Sequence, residues 1–275
     1  MVTIQFETFT DPQLGAFQAW QRVSYDVLLE VAGGLSQGAT ERDATRAAMK
    51  AYRRAGADRF FHLPVALFGE RTALPGSWTT ESFWPTDRVL DHGDAVLLDA
   101  SPIFDGHVVD TSLSFCFGAS AAHAAALADN LAYRASILDA VRSGATFREI
   151  ALAVDKDMTT RGDRNCHRLH PEAVLGHRVV RLTDLAAVPP PDPSGFDATV
   201  LRWFIKGVTA AQAGSSTAPP TWNDQSTSDH RPPPGLWAVE PHFARGPIGV
   251  KWEELLVIED HDAHWLDDNV PHLAT

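Results

Sequence analysis

The chain has 275 residues, 44% hydrophobic and 21% charged, with a formal net charge of −12. That size and balance describe one large domain or two intimate halves, and an acidic surplus without a basic stripe excludes nucleic-acid and anionic-membrane partners. The two cysteines, Cys116 and Cys166, make neither a disulfide framework nor a zinc-type cluster, so a reducing cytoplasm is expected; no signal peptide and no membrane-length apolar run is visible.

In chain order, a first helix is predicted from about Asp11 to Val31. Phe17, Trp20, Val27, Leu28 and Val31 share one face of it, and Gly33 and Gly34 end it. The hexapeptide GATERD, residues 38–43, follows, with Thr40 as N-cap and Asp43 at the third helical position. GATFRE, residues 144–149, echoes it with Thr146 and Glu149 as a capping box. Each copy follows a long amphipathic helix, the second carrying Leu127, Leu131, Leu138 and Val141. Each also opens a shorter helix, the second with Phe147, Ile150, Val154 and Met158 on one side. Strands are expected after each helical pair: FFHLPVALFG, AVLLDASPIF and HVVDTSLSF, then AVLGHRVVRL, GLWAVEPHF and GVKWEELLVIE. The pattern implies a single α+β domain over residues 1–275 made of duplicated halves, about 10–118 and 119–262. An irregular insertion, about 184–234, interrupts the second half with VPPPDPSG, AGSSTAPP and DHRPPPG around one helix near Leu201 to Ala213. It is either a cover for a site mouth or an inert surface loop.

Within these apolar strands stand Asp99, Asp110, His177, Glu240 and Glu253. Burying ionised carboxylates there is costly unless something pairs with them, and two divalent metal ions are the simplest partner able to satisfy four at once. Nothing else in the chain is expected to supply that much positive charge. The Asp105-Gly106 turn sets position 101 opposite 110 and leaves Asp99 on the face of 101, so Asp99 and Asp110 project to one side as diagonal neighbours. Glu240 and Glu253 are an odd number of residues apart across ARGPIG and can face each other. Glu254 alternates to the opposite face, toward solvent or a partner behind the ligands. Carboxylates with an imidazole suit hard or borderline divalent ions.

GDAVLLDASPIFDGHVVDTSLSFCFG, with Asp99 and Asp110 eleven positions apart and Thr111 and Ser112 beside the second, resembles the hairpin of the pita-bread metallohydrolases. That superfamily includes methionine aminopeptidase, aminopeptidase P, prolidase and creatinase. LGHRVV around His177, PPPGLWAVEPHF around Glu240 and GVKWEELLVIED around Glu253 resemble its remaining ligand strands in order, with Glu254 where an aspartate is usual. The resemblance spans roughly residues 12–262. It implies a pita-bread fold, a curved antiparallel sheet covered by helices. It implies too that Asp99, Asp110, His177, Glu240 and Glu253 hold two Mn, Co, Fe or Zn ions, and that a water between them attacks the carbonyl of a small peptide or amide. Histidines beside such ions contact substrate or stabilise the tetrahedral intermediate; His62, His242 and His167 are the candidates here. His170, in NCHRLHPEAVLGH, rivals His177 as ligand because the usual His-x-x-Gly-His lead-in is missing.

The His-Gly-x-Pro stretch of methionine aminopeptidases is also absent; the region reads ALPGSWTTESFWPTD. The expected function is therefore a cytoplasmic aminopeptidase or dipeptidase of Xaa-Pro-like type, a homodimer by family habit. The alternatives are a creatinase-like enzyme cleaving a non-peptide C–N bond, and a metal-free relative that only binds.

Overall fold

Helix α1 (Asp11–Gly34) buries Phe17, Tyr25, Leu28 and Val31, and Gly33 and Gly34 form its last turn instead of lying beyond it. Helix α2 (Glu41–Arg54) starts in a capping box: the Asp43 N–H donates to Thr40 Oγ1 (3.1 Å) and the Thr40 N–H to Asp43 Oδ2 (3.0 Å). The second pair, α3 (Ala121–Arg142) and α4 (Phe147–Thr160), opens its short member in the same way. There the Glu149 N–H donates to Thr146 Oγ1 (3.1 Å) and the Thr146 N–H to Glu149 Oε2 (2.7 Å). A further helix, α5 (Ala198–Gln212), is capped by Asp197 Oδ1, which accepts from the N–H groups of Thr199 and Val200. This computed structural model describes residues 2–274 apart from 58, 77–78, 80–82, 185–195 and 216–218. The stretch VPPPDPSG of the insertion lies outside the described residues. Among those residues, no helix is long and apolar enough to cross a membrane.

Short strands β1 (Thr3–Gln5), β2 (Arg59–Phe60) and β3 (Val65–Phe68) precede a long bent hairpin. Its outgoing arm is β4 (Ala95–Ala100) then β5 (Pro102–Phe104), and its return arm β6 (His107–Val108) then β7 (Thr111–Cys116). The turn at its tip has left-handed φ values at both central residues, 46° at Asp105 and 79° at Gly106, the conformation that matches strand twist. Register runs unbroken from Phe104↔His107 to Asp99↔Ser112, so the spacing argument for the two aspartates holds.

The second half contributes β8 (Arg164–Asn165), β9 (Gly176–Arg178), β10 (Arg181–Thr183) and β11 (Thr221–Trp222). Its own bent hairpin runs out along β12 (Gly235–Val239) and β13 (His242–Arg245) and back along β14 (Ile248–Lys251) and β15 (Glu254–Ile258), with β16 (Ala263–Trp265) beyond. The strands group as β3-β4-β7, β8-β13-β14, β11-β9-β12-β15-β16 and β1-β10-β6-β5-β2, and every pairing is antiparallel. Helices α1 and α2 pack with Val96, Leu98 and Leu113 of the first hairpin. Helices α3 and α4 pack with Trp237, Val239 and Leu256 of the second. Backed in this way, the hairpins meet each other through an isolated bridge, Ser112↔Glu253.

Candidate metal centre

That bridge aligns a row across four strands. Asp99 pairs with Ser112 and Ser112 with Glu253. The ladders Val239↔Glu254 and His242↔Lys251 are in step and set Glu240 across from Glu253. Residues two apart on a strand share a face. Asp110, two before Ser112, and Lys251, two before Glu253, therefore join the row's face. So does His177, whose partner Ala238 lies two before Glu240.

Two glycines make the approach possible. A Cβ at Gly176 would lie 2.5 Å from the Ala238 carbonyl oxygen, and one at Gly249 would lie 1.9 Å from that of Thr72. The glycines beside His177 and ahead of Lys251 are thus needed for close backbone contact.

The four carboxylates and His177 converge, all of them buried. His177 Nε2 lies 3.4 Å from Asp110 Oδ2, 3.8 Å from Glu253 Oε1 and 4.0 Å from Glu240 Oε1. Its Nδ1 is 3.2 Å from the Arg178 carbonyl oxygen, which fixes that N–H and turns Nε2 to the carboxylates; burial opposes a charge on the ring, but Asp110, Glu253 and Glu240 outweigh it and hold its pKa well above the ordinary value. His62 stands opposite. Its Nε2 is 3.5 Å from Asp110 Oδ1 and 3.7 Å from Asp99 Oδ1, and its Nδ1 bonds the Leu63 carbonyl at 2.9 Å.

Sequence reasoning missed the cation at the centre. Lys251, 2% exposed, donates a hydrogen bond from Nζ to Asp99 Oδ2 at 2.7 Å. Its Nζ also lies 2.9 Å from Glu240 Oε2 and 2.9 Å from Glu253 Oε2. The expectation that the chain supplies no such charge at these positions is corrected here. The signal was present: a lysine two residues before Glu253 in an otherwise apolar strand must share its face. Burial alone would drive the Lys251 ammonium toward neutrality, but Asp99, Glu240 and Glu253 outweigh it and hold its pKa well above the ordinary value.

One ammonium does not balance four carboxylates. Burial pushes Glu253 up to about 8, aided by the charge of Asp110, and burial likewise raises Asp99 despite Lys251. Asp110 goes the other way: contacts from His177 and His62 overcome its burial and lower it. Asp99 Oδ1 and Asp110 Oδ1 are buried without a hydrogen-bond partner, and Glu253 Oε2 accepts none despite its nearness to Lys251. Orphaned carboxylate oxygens facing imidazole nitrogens, once they give up the protons these raised values retain, are the donor set divalent ions require. The residues therefore fit the ions that the resemblance implies.

The other histidines separate. His170 stands at the cavity wall, with Nδ1 3.6 Å from Glu240 Oε2, and His177, not His170, faces Asp110, Glu240 and Glu253 together. His242 lies behind it: its Nε2 donates to the Thr72 carbonyl at 2.8 Å and its Nδ1 meets His170 Nε2 at 3.3 Å. Burial lowers both pKa values well below normal, with Lys251 adding to it for His170 and His170 for His242, so both rings are neutral near pH 7. His167 is not brought to the cluster. Its Nε2 is 3.0 Å from Asp155 Oδ1 within α4, and it is not among the residues lining the cavity. Glu254 does not meet solvent. It is buried against Arg134, at 2.9 and 3.0 Å, and His272, at 2.6 Å.

A cavity of about 470 Å³ opens over the carboxylates. Phe61, Phe83 and Phe196 line one side, and Leu201, Phe204 and Val208 of α5 line another. The insertion is thus no inert loop: its helix walls the site. Asp197, at its start, pairs with Arg59 and donates its N–H to the Phe61 carbonyl at 2.8 Å.

This architecture is the pita-bread fold. The profile of metallopeptidase family M24 matches residues 16–260, and the chain belongs to that family. An X-Pro aminopeptidase from Thermotoga maritima has a similar structure, with a TM-score of 0.67 at 16% identity over 94% of this chain and 61% of that one. A prolidase from Thermococcus sibiricus gives 0.64 at 14% identity, over 96% and 62%. An Xaa-Pro dipeptidase from Bacillus anthracis gives 0.61 at 16%, over 96% and 62%. The chain thus spans about three-fifths of the length of these structures. No curated protein matches it by sequence.

Proposed function

We propose that the protein is a metal-dependent aminopeptidase or dipeptidase acting on a small peptide or amide at the floor of the aromatic cavity. The observation that carries this reading is the convergence of unpartnered carboxylate oxygens and two imidazole Nε2 atoms beneath that cavity. Two divalent ions of the Mn, Co, Fe or Zn type, when bound, supply an acidified water and polarise an amide carbonyl. Asp110, His177, Glu240, Glu253 and Asp99 would hold them.

The remaining groups bind and orient. The Thr72 carbonyl accepts a hydrogen bond from His242 Nε2–H, His242 Nδ1 accepts one from His170 Nε2–H, and His170 Nδ1 is left as a neutral acceptor at the cavity wall. It can accept a hydrogen bond from an N–H of the substrate. The aromatic walls exclude water and favour an apolar side chain or a proline ring. An Xaa-Pro preference agrees with the names of the similar structures.

The test is hydrolysis of a dipeptide panel, with and without proline in second position, after loading with Mn²⁺ or Co²⁺. A panel of non-peptide amides runs in parallel. Metal-dependent peptide cleavage supports the reading; cleavage of the amides alone supports the creatinase-like alternative. Metal uptake without either reaction, or no uptake at all, overturns the hydrolase.

A further inference from the structure

The four carboxylates offer eight oxygens, and Lys251 changes how they can be shared. Its ammonium hydrogen-bonds Asp99 Oδ2 at 2.7 Å and forms ion pairs, each at 2.9 Å, with Glu240 Oε2 and Glu253 Oε2. Three of the remaining five, Asp110 Oδ2, Glu240 Oε1 and Glu253 Oε1, face His177 Nε2, a complete four-atom set for one ion. Only Asp99 Oδ1 and Asp110 Oδ1 are left for a second, too few to hold it against water.

We propose that His62 is the missing ligand: its Nε2 joins Asp99 Oδ1 and Asp110 Oδ1 to hold the second divalent ion, replacing oxygens that Lys251 has taken. This rests on the metal-dependent reading above but adds a sixth ligand residue to the five that the family resemblance supplies. Ligand atoms about 2.1 Å from a shared ion at tetrahedral angles lie roughly 3.4 Å apart. His62 Nε2 meets the condition, at 3.5 and 3.7 Å from the two oxygens, as closely as His177 does on its side. The three side chains also form one of two groups compact enough for an ion among the described residues, the other being Asp110, His177 and Glu253. Asp110 belongs to both and spends one oxygen on each.

The setting of the ring agrees. Its Nδ1–H is fixed by the Leu63 carbonyl at 2.9 Å, as that of His177 is by the Arg178 carbonyl at 3.2 Å. Each imidazole uses the carbonyl of the next residue to aim Nε2 inward, which is how metal-bound histidines are oriented. The ring is wedged between Phe83 and Phe196, both with centroids 6.3 Å away, and a backbone bridge pairs His62 with Phe196. A histidine reserved for substrate has no need to face two orphaned aspartate oxygens.

The protein stripped by chelator and reloaded with Co²⁺ tests this without reference to turnover. Expected are two ions per chain by elemental analysis and two strongly shifted, exchangeable ring N–H proton resonances, from His62 and His177. His62→Phe, which keeps a ring in the wedge, should hold one ion at the parent's affinity and bind the other about a hundredfold more weakly or worse. One shifted resonance should disappear, whereas His177→Phe should remove the other. A single shifted ring N–H in the two-ion parent overturns the assignment without any variant. So does a His62→Phe protein holding both ions at parental affinity, or a parent that saturates with one ion. In each of those cases peptide cleavage by the parent would leave the hydrolase reading standing. A parent that takes up no metal defeats both.

Discussion

The two bent hairpins place their acids by the same rule and then use them differently. In the first, Asp99 and Asp110 are short, carry no cation on their own strands, and meet His62 from a preceding loop. In the second, Glu240 and Glu253 are one methylene longer, and the hairpin brings its own ammonium, Lys251, between them. On its opposite face Glu254 is paired by Arg134 of α3 and bonded to His272. Pleat parity decides which side a charge occupies; side-chain length and the neighbouring cation decide whether its oxygens remain free for an ion.

The largest effect tests the first hairpin. Asp110→Asn should abolish metal-dependent turnover, by about a hundredfold at the least, with an unchanged circular dichroism spectrum. Full activity would remove Asp110 from the shared position between the two ligand groups. Next is the second hairpin's internal cation. Lys251→Met should destabilise the metal-free protein by about 3 kcal/mol, since it strands buried carboxylates. Added Mn²⁺ should then raise its melting temperature by more than it raises the parent's; an equal rise would mean that Lys251 does not offset these charges. Glu254→Gln, on the outer face, should cost a similar or smaller amount of stability, about 2–3 kcal/mol, by removing the buried charge that pairs with Arg134, while metal stoichiometry stays that of the parent.

A pH titration sharpens the contrast further. Burial opposes the charge on His62, but Asp110 and Asp99 prevail and hold it at about 9 in the metal-free protein. Burial and Asp110 hold Glu253 at about 8. Both values are raised, so both groups retain protons near neutrality and must lose them to ligate. Ion affinity should therefore climb from pH 6 toward 9, by about tenfold per unit for each proton released. Calorimetry in buffers of different ionisation enthalpy counts those protons, and a flat affinity would contradict the raised values. The smallest effect tests the likeness of the halves: Thr40→Ala and Thr146→Ala should each cost about 1 kcal/mol in denaturant unfolding. A large inequality would show that the two caps are not equivalent.

Much was legible before any coordinates. Helical periodicity and the GAT caps located α2 and α4 because capping is a local exchange of hydrogen bonds within four residues. The Asp105-Gly106 turn set the register of Asp99 and Asp110, since a two-residue loop leaves strand pairing no freedom. Glu240 and Glu253 were paired by parity alone. What stayed hidden depended on distance. His167 and His242 look as much like site histidines as His62 does, and only packing sends one to Asp155 and the other behind His170. Lys251 was visible by parity yet unread, because a lysine in a strand usually lies on the wet face.

The amino-acid order, then, determined which residues could share a face, since the alternation of a strand and the span of a tight turn are properties of neighbours in the chain. Only the tertiary structure decided which faces meet. The contact of Ser112 with Glu253 and the hydrogen bond from Lys251 to Asp99 join residues more than a hundred positions apart, and the α5 wall closes over the cavity that both hairpins share. Their encounter is set by how the two helix-backed hairpins bury their apolar sides, a balance over the whole molecule that no local pattern records.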